Sequence, residues 1–506
     1  MNFKIKPLVA VVLATVLAGG VQGASASEQD DTLVTAFQAQ LPSLVSYFAG
    51  GREGYLLGLM AYDTLVYRDP NTLEIKPLLA ESWKRLDDLT WEFTLRKGVK
   101  FHNGDEFTAN DVKFTYDYVA NPQSQVFSRY PSEWVASIEI VDPYKILIHA
   151  KRPTPIALEN ITQMPILPQA YFTAVGKDAF SEKPVGTGPY SVKRGKRNEI
   201  IFTRNDNYFD GGAKNKPFIK TLVYRNIPDV NTQVAELMSG GIDWAWYIPV
   251  DQAQQLKMMP HLTVTNANTF RIGFITLDAA GITDPNTPLK NLKVRKAINL
   301  AIDKEGIARS LIGDLAKPIA SACKPGQFGC AQDVQSYSYD PQAAKALMAE
   351  AGYANGFDID VYGYRSRPVA EAIVGNLAAI GIRASLKWQQ YTSVIKDRRE
   401  HNAAMVIDDY GSSGVNDVSG ILPFFFAESP DDQSRDPLVT DSILKANALY
   451  DSAQRTQLYS TALKRIADQA YWAPLFTMPI NYVFSSSLDI PIPGDENVEF
   501  WKAKWK

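Results

Sequence analysis

The sequence predicts an α/β fold, and three observations carry that expectation. Phe357, Ile359 and Val361 alternate with other residues as a strand does, a helical stretch runs from about Pro368 to Ile380 and stops at Gly381, and Ile382, Ala384, Leu386 and Trp388 alternate again. Strand, helix, strand at this spacing is the pattern of a βαβ unit on a parallel sheet. Two further helices carry their own marks. Asp340 suits an N-cap, Pro341 the first helical position and Gly352 the place just past the end, while Leu292, Ala297, Ile298, Ala301 and Ile302 share one apolar face. Finally, Trp91, Phe93 and Leu95 alternate with Glu92, Thr94 and Arg96, as in a strand with one buried face. A chain of 506 residues is long enough for two or three domains and a substantial core.

Composition narrows the class. Apolar residues at 45% and charged residues at 21% are ordinary for a globular protein, and a net charge of -3 speaks against a nucleic-acid partner, which demands a basic surface. Residues 1–26 read as a secretory signal peptide: Lys4 and Lys6 precede an apolar run from Leu8 to Leu17, and Ala24-Ser25-Ala26 forms an A-x-A cleavage pattern. That run is too short to span a bilayer comfortably, and no later stretch is apolar enough to do so. No Cys stands near the cleavage site to carry a lipid, so a chain free in the Gram-negative periplasm is expected. Cys323 and Cys330 flank Lys-Pro-Gly-Gln-Phe-Gly. In an oxidising compartment a disulfide across this turn-rich loop is the default, worth on the order of 2–3 kcal/mol in the chain-entropy model. A metal or redox pair lacks the C-x2-C spacing it would need.

Taken in order, the chain opens with a strand over Asp31–Phe37, broken by Ala49–Gly54, and a helical passage over Gly58–Val66. After Leu95, Lys97-Gly98 supplies a turn, Val99 and Phe101 a second short strand, and Asn103-Gly104 another turn. A helix follows, with Thr108 and Asp111 in capping-box positions and Val112, Tyr116 and Val119 on one face. The stretch Pro77–Trp83 and Trp91–Phe114 closely resembles the signature segment of the periplasmic solute-binding proteins that serve peptide, opine and nickel importers, the family 5 extracellular solute-binding proteins. Further landmarks agree: Pro184-Val-Gly-Thr-Gly-Pro-Tyr190, whose spacing is not that of a phosphate-cradling loop; Asn291–Asp303, similar nearly residue for residue; and Tyr471-Trp-Ala-Pro-Leu-Phe476, similar to the return strand towards the first domain.

The resemblance implies a periplasmic binding protein fold of the three-part, cluster C type: two lobes with a hinge, plus an inserted domain. It places a discontinuous lobe I at about 27–60, 184–270 and 482–506, the insert at 61–183, and lobe II at 271–481. Hinge rotation near 270 and 481 would close the lobes on a ligand. The partners it implies are a small-molecule or peptide ligand, an inner-membrane ABC permease and that permease's ATPase subunits, with the binding protein itself a monomer and no cofactor required.

Site candidates follow from the same resemblance. The loop at Arg52 and Glu53 lies at the ligand cleft of the family, although both also read as solvated loop charges. A helix over Val230–Ser239 ends at Gly240-Gly241, and the segment after it makes Trp244, Trp246 and Tyr247 aromatic contact candidates, with core packing the alternative. Tyr364-Arg-Ser-Arg-Pro368 stands at the carboxyl end of a strand, where open α/β sheets present ligand loops. An Arg there can pair with a ligand carboxylate; Arg367 matches best, Arg365 second, and Trp388 ends the neighbouring strand. Peptide binders also carry an Asp-Pro pair whose acid receives the ligand ammonium. This chain instead has Val406-Ile-Asp-Asp-Tyr-Gly-Ser-Ser-Gly-Val-Asn-Asp417, in which Tyr410 is the aromatic and Asp408, Asp409 and Asp417 compete for the acidic role. A peptide or opine-like solute is the leading expectation, with an oligosaccharide or sugar conjugate, or a metal chelate, as alternatives. A hydrolase using Asp408 or Asp409 is the reading from another class. Neither H-E-x-x-H nor G-x-S-x-G occurs, and His102, His149, His261 and His401 are isolated, so no metal site is expected.

Overall fold

Three sheets organise the molecule in a computed structural model that describes residues 26–196 and 199–506. The signal peptide expected over residues 1–26 lies, but for Ala26, outside the described residues. The largest sheet has seven strands, in spatial order Leu262–Ala267, Ile480–Ser485, Trp244–Trp246, Thr32–Phe37, Thr221–Asn226, Ile200–Arg204 and Tyr190–Arg194. Thr32–Phe37 runs parallel to both of its neighbours, so that Phe37, Asn226 and Trp246 finish at one edge. Trp244 and Trp246 share a face of their strand, as period-two alternation requires. That face is packed on Phe37, Tyr482 and Phe500, leaving both indoles 0% exposed.

A second sheet has five strands in the order Ile382–Trp388, Phe357–Gly363, Met405–Tyr410, Ile272–Leu277 and Trp472–Thr477. Phe357–Gly363 and Ile382–Trp388 are parallel and joined by the helix Arg367–Ala378, the βαβ unit the sequence predicts. Its apolar face buries Val369, Ile373 and Leu377 against Val361 and Ile382. The chain passes between the two large sheets twice, between residues 267 and 272 and between 477 and 480.

The signature region folds as a four-stranded antiparallel sheet, ordered Ala80–Arg85, Thr90–Leu95, Lys145–Ala150 and Val135–Asp142, with the helix Ala109–Ala120 against it. Thr90–Leu95 buries Trp91, Phe93 and Leu95, and Thr108 with Asp111 closes the capping box. The second strand expected at Val99–Phe101 is absent. Val99 and Phe101 are buried, but only an isolated bridge between Lys100 and Glu106 forms, because the strand Thr90–Leu95 already has both edges taken. The helix expected at Gly58–Val66 starts earlier, at Gly51, and ends at Ala61; Gly50 and Gly51, at φ 68° and 67°, supply the left-handed turn that begins it.

The glycines of Pro184–Tyr190 are explained by close approach. A Cβ on Gly186 would stand 2.1 Å from the Ala61 carbonyl oxygen, and one on Gly188 would stand 2.4 Å from the Ala61 carbonyl carbon. The segment leaving the four-stranded unit thus runs directly over the end of the helix that enters it. Beneath it Asp63, fully buried, pairs with the buried Lys214 at 2.9 Å and accepts from Thr187 and Tyr208, which satisfies both charges. Cys323 and Cys330 are joined in a disulfide, their Cα atoms 5.8 Å apart.

Candidate functional site

The ends of strands from both large sheets converge on one charged cluster. From the five-stranded sheet come Arg271, just before Ile272–Leu277; Asp409, near the end of Met405–Tyr410; and Tyr364 with Arg365, just after Phe357–Gly363. Because Ile272 registers with Tyr410 and Gly363 with Ile407, these residues sit along one edge. From the seven-stranded side come Tyr247, directly after Trp246; Arg52, in the first turn of the helix Gly51–Ala61; and Glu496, in the C-terminal segment.

The contacts are specific. Asp409 is ion-paired with Arg271 and accepts from Arg365 Nε at 2.9 Å. Arg271 Nη2 reaches Glu496 at 3.0 Å, Arg52 Nε lies 3.4 Å from the same carboxylate, and the Tyr247 hydroxyl donates to it at 3.0 Å. Burial alone would raise both carboxyls, yet the guanidiniums outweigh it: Arg365 and Arg271 hold Asp409 at about 2, and Arg271 and Arg52 hold Glu496 at about 2. Arg365 lies over the rings of Tyr247 at 5.3 Å and Tyr364 at 5.5 Å. Its Nε and Nη2 serve Asp409, whereas Nη1 has no hydrogen-bond partner among the described residues, and the side chain is 36% exposed. Tyr247 adopts φ 55°. That left-handed turn is uncommon for a bulky residue and follows the last strand residue, Trp246, whose ring the Tyr247 ring meets edge-on at 5.0 Å.

A cavity of ≈ 30 Å³ opens beside this group, lined by Trp388, Tyr364, Arg365, Asp409, Phe476 and Met478 among others.

The structure therefore gathers Arg52, Tyr247, Arg365, Trp388 and Asp409, and sets other candidates apart. Trp244 and Trp246 are core residues, not contacts, for the packing reason given above. Arg367 begins its helix pointing to solvent, 62% exposed and paired with Glu371 one turn on, apart from the cluster. Asp408 is buried and already held by Arg398 and the Tyr364 hydroxyl. Asp417 is likewise engaged, by Arg455 at 2.7 Å, and caps the turn at Ser419. Tyr410 packs on Phe424 and Phe425, at the flank of the cluster. Arg271 and Glu496 were not foreseen: their partners lie 138 and 225 residues away, beyond any local pattern. None of the three aspartates is positioned as a free general acid or base, and among the described residues no group of three His, Cys, Asp or Glu is placed to hold a metal ion.

Known proteins share this fold. A family model described as bacterial extracellular solute-binding proteins, family 5 middle, matches residues 74–433. The chain belongs to family 5 of the bacterial extracellular solute-binding proteins. Curated relatives of this family include the glutathione-binding protein GsiB of Salmonella paratyphi A, 28% identical over 477 residues that cover 90% of this chain and 91% of that protein. Another is di/tripeptide-binding protein 2 of Pseudomonas aeruginosa, 29% identical over 82% of this chain and 83% of that one. Among solved structures, the periplasmic binding protein DppA of Helicobacter pylori, in complex with the peptide STSA, aligns over 94% of this chain and 98% of its own with a TM-score of 0.83 and 25% identity. As a family 5 member the protein is the solute-binding component of an ABC import system, taking up a small molecule or peptide and delivering it to a membrane permease and its ATPase subunits. No helix among the described residues is long and apolar enough to cross a membrane.

Proposed function

We propose that this family 5 protein captures a peptide or opine-like solute through a carboxylate bound at Arg365. The observation that carries the reading is the state of that guanidinium: fixed on Asp409 by two of its nitrogens, flanked by Tyr247 and Tyr364, and with Nη1 left without a hydrogen-bond partner among the described residues on a side chain that is 36% exposed. A planar donor held in this way suits a carboxylate, and the aromatic walls suit the apolar parts of a peptide. The relatives that bind glutathione and di- or tripeptides, and the structural neighbour that holds STSA, support the same class. The chain works as a binder and not an enzyme, since Asp408 and Asp409 are neutralised by arginines and offer no separated acid and base.

Its working parts are a discontinuous lobe of about 27–60, 184–270 and 482–506, an insert of 61–183 and a second lobe of 271–481. They close by rotation at the two crossings. Residues 1–26 direct the chain to the periplasm, without a lipid anchor.

Thermal-shift measurements against peptides, opines and oligosaccharides test the reading, because a native-state ligand stabilises by RT ln(1 + [L]/Kd). Carboxylate-bearing peptides or opines should raise the melting temperature. A shift with an oligosaccharide and none with any peptide or opine would overturn the reading.

A further inference from the structure

We infer that Tyr450 latches the inserted domain to lobe II, so that the strength with which any solute is held depends on residues outside the charged cluster. The inference rests on the closing rotation proposed above. Both ends of the insert run into lobe I: the chain enters after the helix Gly51–Ala61 and returns through Pro184–Tyr190, where Gly186 and Gly188 lie against Ala61, and the buried pair of Asp63 with Lys214 fastens the junction. The chain never passes directly from the insert to lobe II. A rotation at the two crossings therefore carries the insert with lobe I, and whatever the insert touches on lobe II is made on closing and broken on opening.

Tyr450 makes the most direct of those contacts. It stands between the helices Pro437–Ala446 and Ser452–Asp468 of lobe II, yet packs on the apolar core shared by lobe I and the insert. The Arg85 guanidinium lies 3.6 Å over its ring, and its hydroxyl donates to the Asp88 carbonyl and accepts from the Thr154 amide, both at 3.3 Å. Arg85 ends the first strand of the four-stranded sheet, Asp88 lies in the turn after it, and Thr154 follows the strand Lys145–Ala150, so one end of that sheet grips one side chain. Elsewhere on the seam Tyr130 meets Phe424 with ring centroids 5.0 Å apart, and Arg68, held by Asp495 at 3.1 Å, donates to the Gly414 carbonyl. Each contact is weak alone, which suits a seam that must open again. Its packing agrees. A cavity of ≈ 60 Å³ remains between Tyr130, Arg152 and Asn160 of the insert and Ser419, Asn447 and Arg455 of lobe II, and the buried Asn160 Oδ1 has no hydrogen-bond partner among the described residues. A permanent interior leaves few voids and satisfies its buried polar atoms. Where the closed form is only part of the population, the apparent Kd is the intrinsic one divided by the closed fraction, so a latch that raises this fraction strengthens every ligand by the same factor.

The experiment places spin labels on the full chain at Asp117→Cys of the insert and Asp441→Cys of lobe II, both exposed, and reads their separation by double electron–electron resonance in the wild type, Tyr450→Ala and Tyr450→Phe. Titration calorimetry with the dipeptide Met-Leu and with glutathione reads the affinities, and the unliganded melting temperature controls for folding. Without solute, Tyr450→Ala should move the distances towards the longer, open population. It should weaken both solutes by one common factor of about 10, and Tyr450→Phe, which keeps the ring under Arg85 and loses the two hydrogen bonds, by about 3. Distances and affinities both unchanged in Tyr450→Ala overturn the latch, and so does a loss confined to one solute, which marks a direct contact instead. If the wild type shows one distance that neither variant nor solute alters, the closing rotation itself falls, and the latch with it.

Discussion

Two arginines two residues apart, Arg365 and Arg367, have opposite fates, and the difference is testable. Arg365 is set by Asp409 and two tyrosine rings; Arg367 sits at the first turn of a helix and pairs only with Glu371 in solvent. Arg365→Ala should weaken a carboxylate-bearing ligand by at least about 10-fold, the scale of losing a charge-assisted hydrogen bond, whereas Arg367→Ala should leave the affinity within measurement error; titration calorimetry on both variants decides it. Asp408→Ala removes a partner of the buried Arg398 and should cost about 3 kcal/mol of stability, read from urea unfolding. At this scale the sequence was only partly legible. Strand-end position draws attention to the loop 364–368, but which of its arginines turns towards Asp409 depends on the helix beginning at Arg367. Trp244 and Trp246 stood out as large aromatics, yet residues two apart on a central strand share one face, and here that face is the core. Glu496 has no local pattern at all; only the fold brings it to Arg271.

Elements were more legible than side-chain roles. Caps and periodicity located the helices Val230–Ser239 and Pro341–Glu350 and the strand pair around Arg367–Ala378, because those signals act within a few residues. The hairpin expected after Leu95 does not form, since alternation at Val99 and Phe101 reports burial, and burial alone does not say whether a neighbouring edge is free. The segment Pro184–Tyr190 was recognisable, but its reason was not: the glycines answer to a helix end more than a hundred residues earlier. Gly188→Ala should therefore be poorly tolerated, because a Cβ 2.4 Å from a backbone carbon forces the main chain itself to shift. A fall in melting temperature of several degrees is expected by circular dichroism, while Gly240→Ala, at a helix end with nothing within 4 Å, should cost only the smaller penalty of its φ of 75°.

At the scale of the whole molecule, the cluster of Arg52, Arg271, Arg365, Asp409 and Glu496 links the two large sheets as well as forming the site. Its carboxylates have folded-state pKa values of about 2, below those of an unfolded chain, so their contribution is fully present above about pH 5 and is lost as the pH falls towards 2. Thermal unfolding followed from pH 7 to pH 2 should show a decline starting below about pH 4.5, and Glu496→Gln should flatten the part of that decline owed to its own titration. The wiring of the seven-stranded sheet has a separate consequence, one of timing. Ile480–Ser485 lies between Trp244–Trp246 and Leu262–Ala267 and pairs with both, so two strands made midway through synthesis wait for a third made near its end. Contacts so distant along the chain close slowly. A nascent chain therefore cannot complete this sheet until Ile480–Ser485 has left the ribosome, and until then Trp244–Trp246 and Leu262–Ala267 lack the strand that joins them.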